Sequence, residues 1–215
     1  MQIISKFPCY NIYEQFHYFN KDSIEVLSYD DQRGKSQNET LYLLLKPSIM
    51  YHQISDFLTD WEYESEATLK LLKNLTDESL TTQIHPNVRT LGLMSWHIIH
   101  TMQEMLARTG LNVDIKVQQN YSGETVSELW NIYLNGALSV AEVIKNSWND
   151  SDLFKQDEMY GEMWKRGQTL TTLVKHQSHH RGEMIVIMRV LGLPVVGVYG
   201  PSKEEWAQWG LEAMK

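Results

Sequence analysis

The chain has 215 residues and a mass of 25.1 kDa, enough for one domain or one domain with an appendage; 42% hydrophobic residues, 21% charged residues and a mean hydropathy of −0.38 exclude a disordered or membrane-spanning composition. Nineteen Lys and Arg against 27 Asp and Glu give a formal charge of −8; that field repels phosphate backbones, no basic patch offsets it, and no nucleic-acid partner is expected. Cys9 is the only cysteine, which excludes an internal disulfide framework and a cysteine-based zinc site and fits a reducing cytoplasm.

The N-terminal stretch MQIISKFPCYNIYEQF lacks an apolar h-region with a small-residue cleavage site, and no run of about 18 apolar residues follows. No membrane association is expected, and the location expected is cytoplasmic. Residues 1–48 are rich in Tyr and Phe, with the polar DDQRGKSQNE between IEVLSY and TLYLLLK. That pattern reads as an extension, either a short β-hairpin or a loosely docked arm.

From residue 49 to 215 the period is helical, and this span reads as an all-α domain. Ile54, Phe57, Trp61, Thr68, Leu71 and Leu75 follow spacings of three, four and seven, predicting a helix over about 49–75 that ends at the polar TDES. A second helix is predicted over about 89–109, between Pro86 and Gly110, with Leu91, Met94, Ile98, Met102 and Met105 on its apolar face. A third spans about 123–148, carried by Val126, Leu129, Tyr133, Ala137, Val140 and Ile144. The segment NDSDLFKQDEMYGEMWKRGQ reads as a long polar loop. The fourth helix is predicted from about Thr169 to just before Gly192 and Pro194, which break it. The tail turns at Gly200-Pro201 and can form a short terminal helix. Four long amphipathic segments imply an up-and-down or crossover four-helix bundle.

No phosphate-binding glycine loop and no GxSxG elbow is present, so the candidate chemistry lies in the histidines. In HQSHHRGEM, residues four apart stand on one helical face, so His176 and His180 can converge while His179 turns about 100° away. Both fall on a stripe of Leu173, His176, His180, Met184, Ile187 and Leu191. Two stacked imidazoles on an inward face are hard to satisfy by ordinary packing, whereas a metal ion satisfies both; a lone histidine on such a face is more often simply hydrogen-bonded. A third ligand must come from another helix. In LGLMSWHIIHTMQEM the helical wheel favours His97 over His100, but weakly, because this helix is apolar nearly all round. Gln177 stands where a HExxH motif needs its glutamate, so that motif is absent. His17, His52 and His85 lie outside the stripes and are expected at the surface.

The segments WHIIHTMQEMLARTGL, HQSHHRGEMIVIMRVLGL and GVYGPSKEEW resemble the DinB family of four-helix-bundle proteins, over about Ser48 to Trp206. The resemblance implies one divalent metal ion held by three histidines, carried over as His97 after Trp96, His176, and His180 before Arg181-Gly182. Family members commonly have Gln where this chain has Glu183, and His100 and His179 fall outside the triad pattern. These three, with Arg181, are candidate supporting or spare acid-base groups. Residues 1–48 fall outside the resemblance.

Three neutral imidazoles leave a metal ion an open position for water or a thiol. Zinc or nickel is expected, with iron or manganese as alternatives. The resemblance implies a thiol S-transferase that directs a low-molecular-weight thiol, such as bacillithiol or mycothiol, onto an electrophile in detoxification. A metal-dependent hydrolase and a non-enzymatic stress-response metal-binding protein are the alternatives. The all-round apolar second helix and the frequent pairing of family bundles imply a homodimer.

Overall fold

A computed structural model describes residues 51–212 of the chain. The chain divides into two units between Lys46 and Pro47, and the described residues belong to the second. The hairpin or arm expected over residues 1–48, together with His17 and Cys9, lies outside the described residues.

Four long helices are present: α1 (Ile54–Leu72), α3 (Leu91–Ala107), α4 (Val126–Ser147) and α5 (Arg166–Val190), with a short α2 (Asp77–Thr81) after α1. Each long helix falls within or near its predicted span, and the ends move for local reasons. Threonines cap three of the helices: Thr90 accepts from Leu93 N, Thr125 forms a capping box with Glu128, and Thr76 forms one with Ser79. The polar TDES that was expected to end the first helix therefore nucleates α2. At α1, Gln53 supplies no cap, and Asp150 Oδ1 accepts from Ile54 N at 2.8 Å instead. Helix α5 starts at Arg166, three residues before the expected Thr169, without a side-chain cap that a sequence could signal. It ends as expected at Gly192, which adopts φ +71°.

One expectation is corrected. The loop before α5 contains a 3-10 turn (Asp150–Phe154) and an antiparallel hairpin of β1 (Gln156–Met159) and β2 (Glu162–Lys165), in register Gln156↔Lys165 and Met159↔Glu162. Its two-residue turn puts Tyr160 at φ 56° and Gly161 at φ 86°, a geometry usually signalled by Asn-Gly or Asp-Gly. Tyr160 is held there by its hydroxyl on Glu104 Oε2 (2.5 Å) and the Arg108 guanidinium 4.5 Å over its ring. These are tertiary contacts, so the turn was not readable locally. The tail forms its expected short helix, of the 3-10 type, at Trp206–Trp209.

The bundle is a crossover type. Helix α1 packs on α4 and α5, and α3 packs on the same two, so α1 and α3 stand on one diagonal and α4 and α5 on the other. Trp61 Nε1 donates to the Ala137 carbonyl at 2.9 Å and ties α1 to α4 inside the core. The nearly complete apolar circumference of α3 is met within the chain. Residues 111–115 alternate, with Leu111, Val113 and Ile115 buried and Asn112 and Asp114 exposed, as in an extended segment lying on a surface. Ile115 packs where a Cβ on Gly136 of α4 would stand, beside Met102 of α3, and Trp96 Nε1 donates to the Gln118 carbonyl at 3.1 Å. The apolarity that implied a partner helix is accounted for by burial of Ile98, Ile99, Met102 and Leu106, worth about 1.5–3 kcal/mol for each side chain. No helix among the described residues is long and apolar enough to cross a membrane.

Candidate metal centre

The buried face of α5 is broader than the predicted stripe and rotated from it. Gln177 and Arg181 are fully buried, while His176 and Leu191 lie half-buried at its edge. Gln177 is the register pin between helices: it accepts from Tyr133 Oη of α4 at 3.2 Å, and its Nε2 donates to the Ile98 carbonyl of α3 at 3.2 Å. It therefore joins the residue beside His176 to the residue beside His97. A buried amide with both ends satisfied fixes position at little net cost, whereas an unsatisfied end costs about 1–3 kcal/mol.

That pin brings three imidazoles together. The ring centroids of His97 and His176 are 5.0 Å apart, those of His97 and His180 are 4.7 Å apart, and those of His176 and His180 are 4.3 Å apart. One ring nitrogen from each lies within 4.8 Å of the other two. The Nε2 atoms of His176 and His180 face each other at 3.0 Å. Two lone pairs at that distance repel unless a proton or a cation lies between them. Imidazole nitrogens bound to one ion at about 2.0–2.1 Å stand roughly 3.0–3.4 Å apart. His180 is buried and turns its Nδ1 to Glu183 Oε2 at 2.6 Å, so a proton on Nδ1 leaves the Nε2 lone pair turned toward the cluster. His176 Nδ1 is buried without a partner among the described residues.

Electrostatics favour the neutral rings that ligation needs. Burial, with the charge of Arg89 and the neighbouring histidines, pushes His97 down to about 4. Burial and the adjacent His180 and His97 push His176 down to about 4 as well. Burial alone would raise Glu183, but its hydrogen bond to His180 and the charges of His180, His179 and Arg89 hold it below the usual glutamate value. Three converging imidazoles, a carboxylate behind one of them and an orphaned ring nitrogen fit a divalent ion, so the cluster could hold one.

The remaining candidates separate. His100 stacks on Trp96 at 4.8 Å, outside the three converging rings. His179 is exposed, with its Nε2 3.5 Å from the other oxygen of Glu183. His52 and His85 are exposed, as expected. Arg181 points away from the triad: it pairs with Glu64, donates to the Glu64 carbonyl (3.0 Å) and Thr68 Oγ1 (3.1 Å), and reaches Tyr199 Oη at 2.7 Å. It is a clamp between α5 and α1, with no route to a reacting atom at the triad. Glu64 was missed because the apolar series on α1 skips it; it occupies the inward position three residues after Trp61. A carboxylate at a core register demands a buried cation, and that demand was a readable signal.

Diagonal packing and a tri-histidine cluster between its second and last long helices define a bundle protein with a candidate metal centre. The sequence profile of the DinB family matches residues 50–211, and the chain belongs to that family. Uncharacterized protein YrdA of Bacillus subtilis (strain 168) is 37% identical over 166 residues, covering 77% of this chain and 99% of that protein. The crystal structure of a DinB-like protein from Bacillus cereus ATCC 10987 shares 37% identity at a TM-score of 0.66, covering 70% of this chain and 100% of the other. The DinB-like protein YjoA from Bacillus subtilis shares the fold, with a TM-score of 0.54 at 12% identity over 68% of this chain and 99% of its own.

Proposed function

We propose that the protein binds one divalent metal ion, zinc or nickel, through His97, His176 and His180 and acts as a thiol S-transferase on electrophiles. A divalent ion held there would supply Lewis acidity, which lowers the pKa of a bound thiol. The observation that supports thiol transfer over hydrolysis is that the amide and the carboxylate nearest the cluster are already engaged. The position of a zincin glutamate holds Gln177, whose amide is spent on Tyr133 and Ile98. Glu183 turns one oxygen to His180 and the other toward His179. A bound water, even with its pKa lowered by the ion, gains from a free base as it attacks; a thiol with an ordinary pKa near 8.5 needs one least. Glu183 holds the proton of His180 at Nδ1, and Gln177 holds the helices in register so that the rings stay together.

The reaction is tested with metal-loaded protein, a panel of low-molecular-weight thiols and monochlorobimane. A sulfur–carbon bond forms, the carbon–chlorine bond breaks, chloride leaves, and the thiol proton passes to the buffer. Thiol-dependent conjugation above the uncatalysed rate, lost in His180→Ala, is the expected result. Hydrolysis of esters or amides without thiol dependence would establish a hydrolase instead. No activity in either screen, with stability unchanged after metal removal, would leave a non-enzymatic protein.

A further inference from the structure

The segment leading into α3 and the outer face of α5 border an open-sided cleft of about 510 Å³, lined by Ile84, Val88, Met94 and Ile187, with Arg89 from the segment and Glu183 from the helix. This volume suits a small molecule. Glu183 joins the cleft to the triad, since its carboxylate is the one in contact with His180. Arg89 is close enough for its charge to act on His97, His176 and Glu183.

Arg89 is distinguished by what it lacks. Each of the other described arginines is paired: Arg108 with Glu104, Arg166 with Asp157, Arg181 with Glu64 and Arg189 with Glu204. Arg89 alone has no carboxylate, hydrogen bond or ring contact among the described residues, in a chain of formal charge −8. Glu183, on the helix side of the cleft, is engaged by the two histidines and does not pair with it. An exposed arginine is ordinary; one unpaired at the mouth of an apolar-walled cleft beside three converging imidazoles is placed to take an anion. The planar fork of a guanidinium matches a carboxylate in particular.

We infer that Arg89 is the carboxylate-binding element of this cleft, and that the thiol taken at the triad is a small carboxylate-bearing one. The thiol half of this inference rests on the proposed function above; the anion site does not. The sulfur is directed to the triad while the carboxylate stays on Arg89. A neutral thiol of similar size lacks the second anchor.

The test uses cobalt(II)-loaded full-length protein, in which thiolate ligation adds a sulfur-to-cobalt charge-transfer band. 3-Mercaptopropionate should half-saturate that band at about tenfold lower concentration than 2-mercaptoethanol, the worth of a charge-assisted hydrogen bond. Arg89→Gln should bring the two thiols together by weakening 3-mercaptopropionate and leaving 2-mercaptoethanol unchanged, at equal cobalt content; Arg89→Lys should keep part of the preference. An equal preference in wild type and Arg89→Gln overturns the inference. If neither thiol ligates, thiol transfer is the reading that fails. Calorimetric titration of sodium propionate into wild type and Arg89→Gln then decides Arg89 separately: weaker binding in the variant upholds the anion site, and equal binding or none in both overturns it.

Discussion

His180 and Arg181 are neighbours on one helix, turned about 100° apart, and they serve two unlike regions. His180 faces a half-open cluster of imidazoles between α3 and α5, where ring nitrogens meet at 3.0 Å and one buried nitrogen lacks a partner. Arg181 faces a buried ion pair with Glu64, joined by Thr68 and reached from the surface by Tyr199. The first region leaves a ring nitrogen unsatisfied, as a ligand site does; the second is satisfied by its own partners, as a structural clamp is. Adjacency in a motif thus says nothing about shared chemistry, and the two regions should respond to perturbation in opposite ways.

The clamp gives the largest effect on stability. Arg181→Ala leaves the Glu64 carboxylate buried without its partner, so it should destabilise by about 3–5 kcal/mol and lower Tm by roughly 10 °C. Arg181→Met combined with Glu64→Leu should recover most of that loss in chemical denaturation, because no lone charge remains. If the double variant is no better than the single one, the ion pair is not what Arg181 contributes.

At the cluster the pattern reverses. His180→Ala should abolish stoichiometric metal while changing metal-free stability by no more than about 1 kcal/mol, since a half-open polar edge contributes little to the core. Glu183→Gln keeps an acceptor for His180 but removes the charge, and divalent-ion affinity should fall about tenfold, with Glu183→Ala between about tenfold and a hundredfold. Competition against a chromophoric chelator measures both.

Acid should affect the two regions differently. His97 and His176 are depressed to about 4, first by burial. Between the ordinary histidine value near 6.5 and about 4, the unfolded chain therefore binds more protons than the folded one. Their contribution is fully present above about pH 6.5 and is lost as pH falls through about 4. Metal-free wild type should lose stability over that window, and a His97→Asn, His176→Asn variant should lose less of it; equal slopes would contradict burial of neutral rings. The smallest effect belongs to His100→Ala, which removes a ring stacked on Trp96 and should leave metal content unchanged.

Much of the fold was legible because apolar periodicity survives wherever a helix has one buried face. Leu129, Tyr133, Val140 and Ile144 on α4 and Leu91, Met94, Ile98 and Met102 on α3 are buried as their spacing required. What was not legible depends on contacts distant in sequence. The Tyr160-Gly161 turn rests on Glu104 and Arg108, the start of α1 on Asp150, and the cover of α3 on residues 111–115. On α5, polar residues at core positions blur the pattern, and the predicted stripe ran through Leu191 where the buried face runs through Gln177 and Arg181. That His176 and His180 share one face of the helix was readable from spacing alone. The wheel could not separate His97 from His100 with any force, because α3 is buried on several sides; the family resemblance favoured His97, and the geometry brings that ring to the other two.

The central claim is that His97, His176 and His180 act together on one divalent ion. Isothermal titration of zinc or nickel into chelator-stripped protein, with His97→Ala, His176→Ala and His180→Ala run alongside, tests it most directly. The expected result is one ion per chain in wild type and loss of that tight site in each variant. Undiminished stoichiometric binding in any one of the three variants, or none in the wild type, would contradict it.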